Sequence, residues 1–219
     1  MTLGLTPDAL PEPSAHILAR ELATRVRAPG RILVMGYGSG RNLAPLLDAG
    51  LAIDLYELDV VRAAAAAQRY AASSMVRIVA TLAPEATERD DADPRDCAGA
   101  LSTHALLHGD TASLVARIAA ISARLRNGAH FSTTLGSTRD PRFGRGRRID
   151  AATWVPNTGD EAGVPHVYLA EGEIRTMLRD YIIESLEEVD AREHVGAWAH
   201  DPAGAATIVH WFVRARRNG

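Results

Sequence analysis

Residues 31–42, RILVMGYGSGRN, carry the pattern that decides the predicted fold of this chain. The apolar run from Ile32 to Met35 is typical of a buried strand, and glycines follow it at positions 36, 38 and 40. Glycine tolerates positive φ angles and lets a ligand approach the backbone without a Cβ in the way. We therefore predict a strand, a tight glycine turn and the start of a helix, whose N–H groups attract a carboxylate or a phosphate.

Strand and helix patterns alternate along the rest of the chain. Strand patterns recur at residues 51–58, 75–80, 97–102, 129–135, 181–189 and 205–215. Helical spacing occurs at residues 14–27, 43–48, 60–71, 110–126 and 171–180, with Ser14, Asp59 and Asp110 or Thr111 as N-caps and Gly128 just beyond the fourth helix. We predict an α/β fold with a doubly wound, mostly parallel seven-stranded sheet and a terminal antiparallel strand pair.

Length and composition favour one domain spanning residues 1–219, which begins with an arm and a helix at residues 1–30. Apolar residues make up 47% of the chain, which is enough for a sizeable core. The net charge of −3 argues against a nucleic-acid partner, and no apolar run reaches membrane-spanning length. Cys97 is the only cysteine, so an internal disulfide is excluded. The N-terminus lacks the features of a signal peptide, and we expect a cytoplasmic protein.

An acidic residue ends the second predicted strand. Glu57 lies 21 residues after Gly36, where a carboxylate can bind both ribose hydroxyls of an adenosine ligand. The alternative is a solvent-exposed acid at a strand end, and we interpret Asp59 as the cap of the next helix. A dinucleotide pattern fits poorly, because the third glycine comes one residue early and Arg41 stands where that pattern requires glycine.

Four segments resemble the Rossmann-like S-adenosylmethionine (SAM) methyltransferases of small molecules: VMGYGSGRN, DLYELD, CAGALSTHALLHG and LRNGAHFSTT. The GSGRN spelling is similar to the tellurite-resistance-type members. The resemblance implies SAM as the cofactor and S-adenosylhomocysteine (SAH) as its product.

The same resemblance implies a role for each part of the site. The glycine turn would hold the methionyl part, Glu57 the ribose and Leu58 the adenine. Residues after the third strand would flank the base, although Thr81 stands where many members carry an Asp. Residues after the fourth strand would face the methyl group. The cofactor-binding residues so implied are Gly36, Tyr37, Gly38, Gly40, Asn42, Glu57, Leu58, Thr81, Leu82, Ser102, Thr103 and His104.

Two histidines lie four residues apart in THALLH. A helix would place His104 and His108 on one face, as some metal sites require. No third ligand stands at a telling spacing, and we expect no metal site. The alternatives are a hydrogen-bonded structural histidine and a polar lining of the pocket, and His108 is a candidate general base.

Residues 136–168 have no clear periodicity and are interpreted as a loop that covers the substrate. The loop begins where ligands bind in this fold class, at the carboxyl ends of the strands. Its arginines are candidates for an anionic acceptor group, and its aromatic residues for a planar one. The candidate substrate-binding residues are Arg139, Arg142, Trp154, His166 and Tyr168. Of these, His166 is the first candidate for a catalytic base. For the arginines the alternative is a solvated basic loop, and for His166 it is a structural hydrogen bond that fixes the loop. The acids that would offset the basic loop are Asp140, Asp150, Asp160 and Glu161.

Three functions are compatible with these observations. The first is a SAM-dependent methyltransferase that modifies an oxygen, nitrogen, sulfur or carbon atom of a small molecule. The second is an NAD-dependent oxidoreductase on a similar sheet, against which the glycine spacing and Arg41 argue. The third is a SAM-binding module without catalytic activity. The sequence leaves the acceptor and the oligomeric state open.

Overall fold

A computed structural model of the chain describes residues 15–79, 96–159, 161–190 and 208–219. Its strands are β1 (Arg31–Met35), β2 (Ala52–Tyr56), β3 (Val76–Val79), β4 (Cys97–Ser102), β5 (Leu125–Ser137), β6 (Arg147–Arg148), β7 (Thr153–Val155), β8 (His166–Leu169), β9 (Tyr181–Asp190) and β10 (Val209–Arg217). Its helices are α1 (Ile17–Arg25), α2 (Leu43–Asp48), α3 (Val60–Arg69), α4 (Thr111–Arg124) and α5 (Glu171–Met177). None of these helices is long and apolar enough to cross a membrane.

The seven predicted strands form a sheet in the order β3-β2-β1-β4-β5-β10-β9. The first five strands are parallel to their neighbours, whereas β10 runs antiparallel to both β5 and β9. This confirms the mostly parallel sheet with a terminal antiparallel pair. Since β1 and β4 lie side by side although they are far apart in sequence, the strand order reverses at β1, and a ligand crevice is expected there.

The central strand is buried on both faces. Leu33 and Met35 of β1 pack into the core that α4 and α5 cover, and Ile32 and Val34 pack into the core beneath α1 and α2. This alternation follows from the two-residue period of side chains along a strand. Helices on both faces of the sheet explain why β1 reads as a continuous apolar run rather than an alternating one.

Two helix ends differ from the prediction. Helix α1 begins at Ile17 with His16 as its N-cap, and the predicted cap Ser14 lies outside the described residues. Helix α4 starts after the predicted cap Asp110 but ends at Arg124, so the placement of Gly128 directly after the helix was wrong. Gly128 lies inside β5 with φ +75°, where the register against β4 shifts. A glycine at positive φ suits such a bulge as well as it suits a helix end.

Three short strands add to the sheet within residues 136–168. β8 runs parallel to the last residues of β5, and β6 and β7 extend it as a small antiparallel ladder. β8 pairs with Gly136 and Ser137, beyond the residues of β5 that pair with β4. The segment therefore lies next to the carboxyl end of β4. Strands of two to four residues are too short to show a period, which is why the sequence predicted a loop.

A buried aspartate joins three strands to α4. Asp54 in β2 is fully buried and accepts hydrogen bonds from Arg31 (2.6 Å), Arg77 (2.5 and 2.9 Å) and Arg124 (2.8 Å). Burial raises the pKa of the Asp54 carboxyl, but the hydrogen bonds and charges of Arg77 and Arg31 outweigh that effect and hold its pKa below the ordinary value. Arg124 is also buried, so its charge depends on this carboxylate.

Replacing Asp54 by asparagine should lower the free energy of unfolding at pH 7 by about 3–5 kcal/mol, because a buried arginine loses its counter-charge. The lowered pKa means that the carboxylate stabilises the fold above the ordinary aspartate pKa of about 4 and that this contribution is lost as the pH falls further. Urea denaturation of both proteins between pH 3 and 7 measures the difference. The matched control is Asp180→Asn at an exposed position, with an expected change below about 0.5 kcal/mol. Equal stability of wild type and D54N at pH 7 would contradict this account.

Candidate functional site

A cavity of about 290 Å³ opens at the carboxyl ends of β1, β2 and β4, where the strand order reverses. Its size is at the lower end of the range of ligand pockets, about 300–1,000 Å³. The glycine turn and the end of β2 form one end of its wall, and the loop after β4 runs along it. The opposite end contains His108, Arg117, Arg142, Glu161 and His210.

The glycine turn after β1 presents backbone to this cavity. Gly36 has φ +90°, and a Cβ there would come within 2.9 Å of the Ala105 Cβ. Gly40 has φ +81° and lies against the Tyr37 ring, which a Cβ would meet at 2.7 Å. Gly38, with φ +56°, has no atom within 4 Å of the Cβ position, so this part of the turn faces open space. Glycine at positions 36 and 40 avoids collisions with Ala105 and Tyr37, and the backbone at Gly38 is open to a ligand.

Glu57 links the turn to the end of β2. Its carboxylate accepts hydrogen bonds from the backbone N–H of Tyr37 (2.7 Å) and of Asp59 (2.9 Å). A carboxylate has room for about four hydrogen bonds, so each oxygen can accept a further one from a ligand hydroxyl in the cavity. Asp59 accepts from Val61 N–H and Arg62 N–H at 2.9 Å each, which confirms it as the cap of α3. The two neighbouring acids therefore have different roles, as the sequence indicated.

The loop at residues 103–109 is held by contacts from other elements. The Asn42 amide donates to the Thr103 hydroxyl (2.8 Å) and accepts from His16 N–H (2.8 Å). His104 has φ +60°, a strained angle for a residue with a side chain, and its N–H donates to the Thr134 hydroxyl (2.8 Å). Residues 103–109 contain no helix, so the condition under which His104 and His108 would share one helix face is not met.

The far end of the cavity contains a cluster formed by His108, Glu161 and His166. The Glu161 carboxylate lies 3.2 Å from His108 Nε2 through one oxygen and 3.0 Å from His166 Nε2 through the other. The imidazole rings meet edge to face at 4.8 Å between centroids. Residues 108 and 166 also form an isolated antiparallel bridge, which brings the two rings together. Burial raises the pKa of the Glu161 carboxyl, but the two histidines more than offset this and hold its pKa far below the ordinary value.

Arg142 lies beside this cluster in a fixed position. Asp140 accepts from its Nε (2.8 Å) and from one Nη (2.9 Å), and the other Nη lies 3.5 Å from Glu161. Burial lowers the pKa of the Arg142 guanidinium, but Asp140 outweighs this and raises it. One Nη also lies 3.4 Å from His210 Nε2 in β10. The side chain is thus oriented by a bidentate ion pair rather than by solvent.

The structure brings most of the predicted cofactor-binding residues into the cavity wall. They are Gly36, Tyr37, Gly38, Asn42, Glu57, Leu58, Thr103 and His104. Gly40 lies beneath the Tyr37 ring, and Ser102 is fully buried within β4. Thr81 and Leu82 lie outside the described residues.

The structure places three of the predicted substrate-binding and catalytic residues in or beside the cavity and three outside its wall. Arg142 and His108 line the cavity, and His166, which is 2% exposed, lies behind Glu161. The remaining three lie outside the cavity wall. Arg139 points away and pairs with Glu188 at 2.5 Å, while Trp154 and Tyr168 pack around Phe143. Burial raises the pKa of Tyr168 to about 12, so its hydroxyl stays protonated.

Sequence reasoning missed several residues of the cavity wall. Arg41, Arg62 and Arg117 lie on or beside helices, and His210 comes from the last strand. Glu161 appeared only as one of several acids that offset a basic loop. The signal that could have found them is weak, because their positions depend on how distant segments pack rather than on local spacing. Arg117 is the clearest example, since it reaches across to donate to the His108 carbonyl (2.6 Å).

No protein-family model matches the chain, and no curated protein matches its sequence. Solved structures match its fold. A SAM-dependent methyltransferase from Methanosarcina mazei aligns with a TM-score of 0.65 and 12% identity over 94% of this chain and 99% of its own. The 1,6-didemethyltoxoflavin-N1-methyltransferase of Burkholderia thailandensis, solved with 1,6-didemethyltoxoflavin and SAH bound, aligns with a TM-score of 0.59 and 21% identity over 93% and 79%. TehB from Haemophilus influenzae aligns with a TM-score of 0.61 and 12% identity over 93% and 62%.

The chain has the methyltransferase fold. The resemblance that the four sequence segments indicated is thereby confirmed for the architecture. Identities of 12–21% show the fold alone, and the chemistry has to be argued from the cavity itself.

Two glycine substitutions test this geometry. Gly38→Ala should cost about 1–2 kcal/mol of unfolding free energy, because the new side chain adopts a left-handed backbone but meets no neighbour. Gly40→Ala should cost at least about 1 kcal/mol more, because its Cβ also collides with the Tyr37 ring. Urea denaturation of both variants measures the difference. A Gly40→Ala protein as stable as Gly38→Ala would contradict the packing of the turn.

Proposed function

We propose that this protein is a SAM-dependent methyltransferase that acts on a small-molecule acceptor. The observation that carries the proposal is the cavity itself, which has a glycine turn and Glu57 at one end and His108, Arg142 and Glu161 at the other. The first group suits an adenosyl amino acid, and the second suits a polar acceptor. A similar solved structure, the 1,6-didemethyltoxoflavin-N1-methyltransferase with 1,6-didemethyltoxoflavin and SAH bound, supports the same assignment.

The residues present fit SAM at the glycine end. Open space at the Gly38 Cβ position accommodates the methionyl part against backbone N–H groups. Each Glu57 oxygen has capacity for a ribose hydroxyl, and Leu58, whose side chain is 57% exposed, offers an apolar surface for the adenine. When bound, SAM supplies an electrophilic methyl group on sulfur. Thr103 and His104 then lie in the wall between the two ends.

The chain's own contribution to catalysis is chiefly positioning. An in-line displacement gains roughly 7–11 kcal/mol in favourable cases when both reactants are held in the right orientation. The Asp140–Arg142 ion pair and the anchored loop at residues 103–109 are rigid enough to hold an acceptor in this way. Four arginines and three acids line the cavity, which favours a polar or anionic acceptor. These residues are Arg41, Arg62, Arg117, Arg142, Glu57, Asp59 and Glu161.

An NAD-dependent oxidoreductase fits the cavity less well. Arg41 is 9% exposed and contributes to the cavity wall at the position where a dinucleotide turn requires glycine. In that pattern the third glycine lets the helix pack closely on the strand, which an arginine at the same position does not allow. A SAM-binding module without activity would have the same glycine end of the cavity. Only a measurement of methyl transfer, and not of SAM binding, therefore distinguishes it from an enzyme.

Removal of the Glu57 carboxylate tests the cofactor site. Glu57→Ala should weaken SAH binding about 10–150-fold, because two hydrogen bonds to a charged acceptor are each worth about 1.5–3 kcal/mol and are partly replaced by water. Isothermal titration calorimetry with SAH measures the change. The matched control is Glu171→Ala, at an exposed glutamate that pairs with Arg175 on α5, and its SAH affinity should equal that of the wild type.

Three results would overturn the assignment. Wild-type protein that binds NADH but not SAH would favour the oxidoreductase. Equal SAH affinity of E57A and wild type would remove Glu57 from the site. SAH binding without methyl transfer from labelled SAM to any member of a broad panel of polar acceptors would favour the module without activity.

A further inference from the structure

The cluster of His108, Glu161 and His166 brings together three side chains of the kinds that bind metal ions. Its three ligating atoms lie within 4.8 Å of one another, although they come from the loop after β4, the segment before β8 and β8 itself. Both Glu161 oxygens are directed at imidazole nitrogens, one each. The arrangement is convergent, with three donor atoms around a common centre.

The orientation of His166 fixes which of its nitrogens carries hydrogen. His166 Nδ1 lies 2.8 Å from the Val164 carbonyl oxygen, and a carbonyl can only accept, so Nδ1 is the donor. In the neutral ring Nε2 then has a lone pair, and that lone pair faces the Glu161 carboxylate at 3.0 Å. Two acceptors that face each other require a cation between them, either a proton, which makes the ring an imidazolium paired with the carboxylate, or a metal ion. A backbone carbonyl that orients an imidazole through its other nitrogen is also the usual second-shell arrangement around a metal-bound histidine.

We propose that His108, Glu161 and His166 bind a divalent transition-metal cation at the far end of the cavity. Two imidazole nitrogens and one carboxylate are a donor set that Zn²⁺, Fe²⁺, Co²⁺ and Mn²⁺ accept. Donor atoms about 2.1 Å from a metal lie about 3.0 Å apart at right angles and about 3.4 Å apart in a tetrahedral site. The distances of 3.0 and 3.2 Å between the Glu161 oxygens and the two Nε2 atoms lie in this range, and a hydrogen bond between the same atoms has a similar length.

Burial directs the open side of this site toward the cavity. His166 is buried at the back with a side-chain exposure of 2%, whereas His108 and Glu161 are 37% and 33% exposed and line the cavity wall. A cation held from behind by these residues therefore presents its remaining coordination positions to the cavity. This part of the inference rests on the proposed function: those positions would bind an oxygen of the methyl acceptor.

The surrounding charges are compatible with a cation. The nearest positive group is Arg142, whose Nη1 lies 3.5 Å from Glu161, and Asp140 balances it through two hydrogen bonds. One carboxylate and two neutral imidazoles around a divalent cation leave a charge of +1, which an anionic acceptor oxygen would neutralise. A second convergent group in the described residues, Asp54 with Asp96 and Cys97, is different, because arginines already occupy the Asp54 carboxylate.

Metal titration of the full-length protein tests the site. Protein without an affinity tag is dialysed against EDTA and then titrated with Co²⁺ alone, followed by visible absorption and by calorimetry. We expect one equivalent of Co²⁺ with a ligand-field spectrum, and a loss of affinity of more than about 100-fold in His108→Ala and Glu161→Gln. Both residues are partly exposed, and thermal melting followed by circular dichroism establishes that the variants fold. The matched control is His130→Gln, on β5 and outside the cavity wall, which should bind Co²⁺ like the wild type.

Two results would overturn the metal site. One is a wild type that binds no Co²⁺ at millimolar concentration, and the other is unchanged Co²⁺ affinity in folded His108→Ala and Glu161→Gln. SAH binding is measured on the same EDTA-treated protein, so the two proposals fail separately. SAH binding without Co²⁺ binding removes only the metal site, whereas Co²⁺ binding without SAH binding keeps the metal site and removes the acceptor role.

Discussion

The hydrogen bonds that Glu57 accepts from Tyr37 N–H and Asp59 N–H are the interaction on which the cavity depends. They fix the glycine turn after β1 to the residues that follow β2, so that the carboxyl ends of these two strands stay together at the edge of the sheet. Without a side chain as acceptor, the N–H of Tyr37 would have to find a partner in the cavity or in water. The same carboxylate is therefore both a structural clamp and the acid that we propose binds the ribose. Three residues before Glu57, within β2, Asp54 joins this strand to β1, β3 and α4 through a buried carboxylate.

The far end of the cavity is formed by the pairing of β8 with β5 rather than by a local turn. β8 joins the sheet beside Gly136 and Ser137, beyond the part of β5 that pairs with β4. The chain before β8 consequently runs next to the loop that leaves β4, and the Val167 N–H donates to the Leu107 carbonyl at 2.8 Å. This pairing sets His166 opposite His108, and Glu161 follows from the turn before it. The pairing of the four-residue strand β8 thus brings together His108, Glu161 and His166, which lie far apart in the sequence.

The two ends of the cavity differ in how far the sequence could predict them. Local patterns were enough for β1, the glycine turn, the position of Glu57 and the cap at Asp59, because each depends on residues within a few positions of one another. They failed at Gly128, since a positive φ serves a bulge and a helix end equally well. They also failed for Glu161, whose role exists only after β8 has paired. The roles of the individual site residues stay predictions, whereas the sheet topology is confirmed.

The loop at residues 103–109 connects the two ends mechanically. It is held by the Asn42 amide at Thr103, by the Thr134 hydroxyl at the His104 N–H and by Arg117 at the His108 carbonyl. These three contacts come from the glycine-turn side, from β5 and from α4. Because these contacts hold the loop at Thr103, His104 and His108, the left-handed backbone of His104 is fixed from both sides. The loop that carries His108 is therefore tied through Asn42 to the backbone of the glycine turn, and the position of the far cluster depends on the same backbone that borders the glycine-turn end of the cavity.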